Sequence, residues 1–284
     1  MEPAAPILFD RAQLRKRRAR AAAQFLQHDF LWREAAARAE ESLACITRRF
    51  PTMLGFGCHA LPLRAGTTCF LHADDAAPML QHTAGLRIAA DEEWLPFAEN
   101  SVDAVISLLG LHTVNDIPGT LVQLHRILKP DGLFIAILPG GETLRELRSI
   151  FAATESAQTG GITPRIAPFL DVRDAGALLQ RAGFALPVAD TELLQVSYPD
   201  LFALMGDLRG AGQANMLQQK LQHFTPRKFF IEAAARYATE HSDAENRITA
   251  TVELITMTGW KPAPTQQQPA RRGSGKVSLR EALG

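Results

Sequence analysis

The chain has 284 residues and 46% hydrophobic content, enough to fill a sizeable core in one large domain or two small ones. Its 30 basic and 30 acidic side chains cancel, so no bulk attraction to nucleic acid or anionic lipid is expected and local clusters must carry any such role. The three cysteines, Cys45, Cys58 and Cys69, have no paired spacing, which argues against a disulfide framework and for a reducing cytoplasm. No apolar run approaches the roughly 20 residues of a membrane span.

The first segment is basic, with Arg15 to Arg18 as its sharpest run. A solvated helix face is the expectation for such a run, against a patch that contacts phosphate or a membrane. An Arg- and Ala-rich start is also a feature of mitochondrial transit peptides, although Glu2 and Asp10 count against that. Further on, Phe25, Leu26, Phe30, Leu31, Ala35, Leu43 and Ile46 recur near the helical period and predict one or two amphipathic helices.

From residue 50 to 138 short apolar runs alternate with helical or turn-like segments. TMLGF, TTCFLHA, LRIAA, VDAVISLL and GLFIAIL read as strands, and the alternation predicts a parallel sheet covered by helices. LKPDG, residues 128 to 132, reads as a turn in which Pro130 fixes φ, Asp131 bonds backbone and Gly132 takes positive φ. Beyond residue 140 the segments GETLRELRSIF, DVRDAGALLQRAGF, YPDLFALMGDLRG and PRKFFIEAAARYATEH predict helices. PVADTELLQVSY and ITATVELITMTGW alternate and predict two strands that rejoin the sheet as an antiparallel pair at its edge. The predicted organisation is a helical N-terminal extension (1–48), an α/β domain (49–260) with helical insertions at about 141–185 and 199–245, and a polar, flexible tail (261–284).

In an open parallel sheet, ligands lie at the carboxyl ends of the strands. Gly57 and Cys58 end the first strand, Asp74 and Asp75 the second, Asp91 and Glu92 follow the third, and Ser107 and Leu108 end the fourth. A glycine turn followed by two strands that end in acids is the spacing of a cofactor-binding half, since an acid at the second strand end accepts bonds from ribose hydroxyls. Each residue also has a plainer reading: Gly57 as an ordinary tight turn, Asp74 and Asp75 as helix caps. His59, His72 and Asp74 offer a metal set that lacks further obvious ligands, and packed histidines are the expectation. His112, Asn115 and Asp116 follow the fourth strand, where they serve either an acceptor or the cap of the next helix.

The stretch AADEEWLPFAENSVDAVISLLGLHTVNDIPGTLVQLHRILKPDGLFIAIL resembles a class I S-adenosylmethionine-dependent methyltransferase. More narrowly, FDR at 9–11, LHTVND, PGGETLRELR, QVSYPDLFALMGDLRGAGQAN, TGWKP and PARRGS are similar to the methyltransferase-like assembly factor 5 family of complex I, the respiratory NADH:ubiquinone oxidoreductase. The resemblance spans essentially the whole chain. It implies a doubly wound Rossmann-like α/β fold with a mostly parallel seven-stranded sheet, a helical N-terminal extension and a helical cap. It further implies S-adenosylmethionine as cofactor, and a complex I subunit as a protein substrate that is modified on arginine by hydroxylation rather than methyl transfer. No nucleic acid partner is expected, and the location is cytoplasmic or peripheral at the inner membrane. The tail, through PARRGS, becomes a functional arm.

On this resemblance Asp74 matches the ribose acid, Asp91 the residue facing the adenine amine, and Leu108 the fourth-strand wall, with Gly57, Cys58, Asp75 and Glu92 beside them. The first motif departs from the family's acid followed by G-C-G-x-G: Gly55 replaces the acid, while His59 and Leu61 replace glycines. Bulk at 59 and 61 is expected to fill the methionine half of the cofactor space or push the loop outward. Three readings follow: an S-adenosylmethionine-linked enzyme acting on a protein side chain, a pseudoenzyme that escorts a complex I subunit, and a methyltransferase for a small acid or carrier-linked acyl chain like the biotin-pathway enzyme.

Overall fold

The computed structural model describes residues 7–62, 66–221, 224–266 and 278. The tail expected over 261–284 therefore lies outside the described residues beyond 266, apart from Ser278.

Seven strands form one sheet in the order β3-β2-β1-β4-β5-β7-β6. The strands are β1 (Thr52–Phe56), β2 (Cys69–Asp74), β3 (Leu86–Ala89), β4 (Val102–Leu108), β5 (Leu128–Pro139), β6 (Ala185–Tyr198) and β7 (Ile248–Trp260). The first five run parallel, whereas β7 lies antiparallel between β5 and β6. The fold is thus the expected doubly wound, mostly parallel α/β sheet, and the two late strands form the anticipated antiparallel pair. Strand order reverses between β1 and β4, so the crevice where such sheets bind ligands opens beside Gly57 and Leu108.

Period-two alternation sorts the strand residues between two core layers. Met53, Ile106 and Ile135 face helix α2 (Phe30–Ala44) through Trp32, Ala36 and Leu43. Their neighbours Leu54, Val105 and Phe134 pack on the other side, in the layer that holds Leu121 and Leu124 of α3 (Ile117–Ile127) and Leu179 of α5 (Val172–Arg181). Helix α3 starts where Asp116 accepts a bond from the Gly119 amide at 2.8 Å and Pro118 sits in the first turn. Its buried Leu121, Leu124 and Ile127 then follow the helical period.

The β6–β7 pair continues past the carboxyl end of β5, because β6 is the one strand that β7 residues 248 to 253 pair with. Helices α4 (Arg145–Thr159), α6 (Leu201–Gly210) and α7 (Arg227–Glu240) pack on that extension through Ile150, Leu204, Phe229 and Tyr237 against Ile248 and Ala250.

Two local expectations need correction. LKPDG is not a separate turn: β5 begins at Leu128, immediately after α3, and its irregular first residues contain the motif. The positive φ falls on Asp131 (63°) rather than Gly132. Glycine is needed at 132 for space instead, since a Cβ there would lie 2.7 Å from the Lys129 carbonyl oxygen and 3.1 Å from that of Asp103.

The second correction concerns the basic run. Helix α1 (Arg11–Ala21) is capped by Asp10, which accepts a bond from the Gln13 amide at 2.9 Å, but Leu14 is its one buried residue by whole-residue exposure. What faces the sheet beside Leu14 is a row of arginines, Arg11, Arg15 and Arg18, spaced like the apolar stripe of an ordinary amphipathic helix. Only part of the run is therefore a solvated face.

Candidate functional site: a strand-end cleft filled from within

The first turn is closed by its own side chains. Gly57 has φ 66°, and a Cβ there would collide with the Leu108 carbonyl oxygen, so the turn is locked against the end of β4. At Gly55 a Cβ would sit 2.7 Å from Phe70 Cζ and 2.9 Å from Cys58 Cβ, so the space for an acidic side chain has been taken by two apolar groups. Cys58 is buried, with Sγ directed to the carbonyls of Phe56 at 3.3 Å and Ile106 at 3.5 Å, and desolvation pushes its thiol well above the ordinary range. It is a packing residue, not a nucleophile.

His59 and Leu61 fill rather than splay the loop. The His59 ring meets Phe25 edge-on at 4.9 Å and its Nε2 lies 2.9 Å from Asp29 Oδ2. Desolvation lowers its pKa and the Asp29 bond opposes that; the neutral ring donates to the carboxylate, which can only accept. Leu61 is buried in the same apolar layer as Trp32 and Phe25. The void left beneath the turn, among Phe25, Trp32, Gly57, His59 and Asp74, measures about 10 Å³. That is room for one water, whereas small-molecule sites usually offer ~300–1,000 Å³.

The acids of the second and third strand ends do converge, and the partners they meet are arginines of α1. Arg18 donates to Asp74 Oδ2 at 2.7 Å and Asp75 Oδ1 at 2.9 Å. Arg11 donates to Asp91 Oδ1 at 2.6 Å and Glu92 Oε2 at 3.2 Å, and Arg15 reaches Asp91 Oδ2 at 3.0 Å. The Arg11 and Arg18 side chains are only 10% and 11% exposed, and those of Asp75 and Glu92 1% and 5%. Burial first drives the Asp74 and Glu92 carboxyls above their usual range, and the facing guanidiniums pull them back only in part. Four carboxylates face three guanidiniums, and Asp75 Oδ2 keeps no hydrogen bond, with Arg11 3.6 Å away. The plainer reading of Asp74 as a cap is partly met too, since its Oδ1 accepts from the Ala76 amide at 2.8 Å.

After β4 the candidate residues part company. Asp116 caps α3, while Asn115 receives the amides of Leu8 and Phe9 at 2.9 and 2.8 Å and so ties down the N-terminal segment. His112 Nε2 lies 3.2 Å from Gln213 Oε1; desolvation lowers its pKa to about 4, so the neutral ring donates there. His112 lines a second, apolar cavity of about 270 Å³, between Trp32, Phe151 and Phe169, with Arg165 and Arg209 at its wall. Leu108 is buried in the core, and Ser107 Oγ behind it has no hydrogen-bond partner.

These residues do not fit S-adenosylmethionine as they stand. Asp74 and Asp91, expected to face a ribose and an adenine amine, meet guanidinium nitrogens instead, and the space expected for a methionine half is occupied by His59, Asp29 and Leu61. His72 faces the Phe70 ring at 4.4 Å and does not join His59 around a metal; among the described residues no three His, Cys, Asp or Glu side chains converge for one. The α1 arginines are what sequence reasoning missed. Their signal was present in the spacing of Arg11, Leu14, Arg15 and Arg18 along one helical face.

A methyltransferase domain model matches residues 54–136. The arginine-hydroxylase NDUFAF5, mitochondrial, of Homo sapiens is 41% identical over 96% of this chain and 83% of its own. A malonyl-[acyl-carrier protein] O-methyltransferase of Xylella fastidiosa is 32% identical over 95% of this chain and 94% of its own. Among solved structures, the YcgJ protein of Bacillus subtilis shares the fold at TM-score 0.54 and 14% identity, covering 79% of this chain and 97% of that one. No helix among the described residues is long and apolar enough to cross a membrane. With near-complete coverage at 41% identity, and a methyltransferase domain at its centre, the chain belongs to the NDUFAF5 arginine-hydroxylase family.

Proposed function

We propose that this chain engages an arginine-bearing protein subunit of the respiratory NADH dehydrogenase, to escort it during assembly rather than to modify it in the state described above. The near-full-length likeness to an arginine-hydroxylase supports the choice of partner. The observation that carries escort over catalysis is the pairing of Arg11 and Arg18 with Asp74, Asp75, Asp91 and Glu92, which sets a guanidinium against each of the four acids. In this reading Gly57, Cys58, Asp74, Asp75, Asp91, Glu92 and Leu108 form the wall inherited from an S-adenosylmethionine site, and no chemical step runs through them. The place of action is the cytoplasmic side, peripheral to the inner membrane, with no nucleic acid involved.

The test is purification of tagged chain from its own cells together with a deletion strain. Recovery of NADH dehydrogenase subunits, and loss of assembled enzyme on deletion, is the expected outcome. An intact, fully active enzyme in the deletion strain refutes the proposal. A subunit arginine that carries an added oxygen only when the chain is present moves the reading from escort to catalysis.

The apolar cavity with Arg165 and Arg209 at its wall favours one second reading, transfer of a methyl group to a small acid on a carrier-linked acyl chain. Labelled S-adenosylmethionine and a malonyl-carrier protein distinguish it: methyl incorporation supports that reading, and none is expected.

A further inference from the structure

We infer that the four-acid cleft is a guanidinium receptor occupied in cis by α1, so that the arginine face of that helix and a nucleoside are mutually exclusive ligands of the same carboxylates. The inference rests on the assignment of Asp74 and Asp91 to the nucleoside side of the cleft. It is independent of which protein the chain escorts.

Three observations carry it. The contacts are selective in geometry: Arg18 spans Asp74 and Asp75 with its two terminal nitrogens, and a single Arg11 nitrogen bridges Asp91 and Glu92. Helix α1 has little else to hold it to the sheet, since its buried apolar contribution is Leu14 alone. The strand ends also keep unspent polar capacity: Asp75 Oδ2 and Ser107 Oγ are buried without a hydrogen bond, as are the Nε atoms of Arg11 and Arg18. A dedicated structural core would be expected to satisfy such groups. A cleft built for another ligand and filled by a substitute leaves them open.

The barrier to the ordinary cofactor then has two separable halves. His59, Asp29 and Leu61 close the methionine end permanently, as packed core. Arg11 and Arg18 close the nucleoside end with side chains alone: the other ties of α1 and the residues just before it, Arg17 on the Asn215 carbonyl, the Asp10 amide on the Met216 carbonyl and Asn115 on the Leu8 and Phe9 amides, involve none of the four acids, so this end opens without disturbing the sheet. When α1 leaves, two surfaces appear together: an open acidic cleft and a helix face bearing Arg11, Arg15 and Arg18.

A nucleoside that lacks the methionine half, 5′-methylthioadenosine, probes the second barrier alone. In the full native chain, hydrogen exchange of residues 11–21 is followed as the nucleoside is titrated to millimolar concentration. Affinity is then compared with an Arg11→Gln, Arg18→Gln variant, or with Arg11→Gln alone should the pair fail to fold. The expected result is at least tenfold tighter binding by the variant, and loss of α1 protection in the wild type in step with any binding it shows. Equal affinity in wild type and folded variant, including no binding by either, overturns the inference. So does nucleoside binding that leaves α1 protection unchanged or raises it. Failure of the escort reading would show instead in the purification and deletion experiments, which involve no nucleoside.

Discussion

Replacing Arg18 by methionine keeps an unbranched apolar stem and removes the guanidinium with its charge. The Asp74 and Asp75 side chains it serves are 6% and 1% exposed, so each carboxylate loses its charged hydrogen-bond donor while still buried. Breaking such a pair from one side costs about 3–5 kcal/mol, far above the ~0–1 kcal/mol of a surface ion pair. Against a total stability of about 5–15 kcal/mol, that raises the unfolded fraction on the order of a hundredfold to a few thousandfold. Guanidinium denaturation at pH 7 reads the loss as a lowered midpoint. Adding Asp74→Asn removes one of the stranded charges, so the double variant should regain about 1 kcal/mol or more over the additive expectation. Acidification should shrink the defect as well, because burial already holds the Asp74 carboxyl above its usual range and protonation relieves it. A loss below about 1 kcal/mol, or strict additivity in the double variant, would show that these contacts are solvated surface pairs and sink the account of α1 as a buried ligand.

Acid should destabilise the chain through its buried histidines. Desolvation lowers His72 and His112 to about 4, so below the ordinary histidine range the unfolded state binds more protons. Their contribution is complete above about pH 6.5 and fades as pH falls toward 4, at a cost of about 2 kcal/mol each by pH 5. Asp74 and Glu92, held high, act in the opposite sense, so the diagnostic comparison is His72→Leu against wild type: the variant's denaturation midpoint should fall visibly less between pH 7 and 5. Gly55→Asp restores the family's acid on paper, yet its side chain meets Phe70 and Cys58, so a thermal melt should record a loss of about 1–3 kcal/mol and titration no gain of S-adenosylmethionine binding; tight binding by this variant would contradict the filled turn. Arg165→Leu should cost about 3 kcal/mol in a urea melt, since Arg165 binds the Glu155 carboxylate at 2.8 Å and lies 4.2 Å from the Phe229 ring centroid, and a change under 1 kcal/mol would count against that pair as an anchor of the cap.

The sequence by itself determined the sheet and its direction. Five short apolar runs separated by helical segments admit little besides a parallel α/β layer, and the acids at 74, 75, 91 and 92 fall at strand ends because helix and strand lengths are set by local periodicity. The filled turn was legible too, since bulk at His59 and Leu61 is a property of single residues. Two other features were not. The left-handed residue of LKPDG is Asp131, because Gly132 is required where carbonyl oxygens crowd, and that crowding arises only once β5 lies beside β4. The partners of the acids were hidden for a related reason. A run of arginines is ordinarily solvated, and the spacing that sets Arg11 and Arg18 on the face of Leu14, apart from Arg20, does not say what that face meets. Burying a guanidinium is unfavourable until a carboxylate meets it, and those carboxylates stand 56 to 81 positions further along the chain. Tertiary folding alone brings the two sets of charges within bonding distance, and with them it decides that the cleft of this sheet is closed by the helix that precedes it.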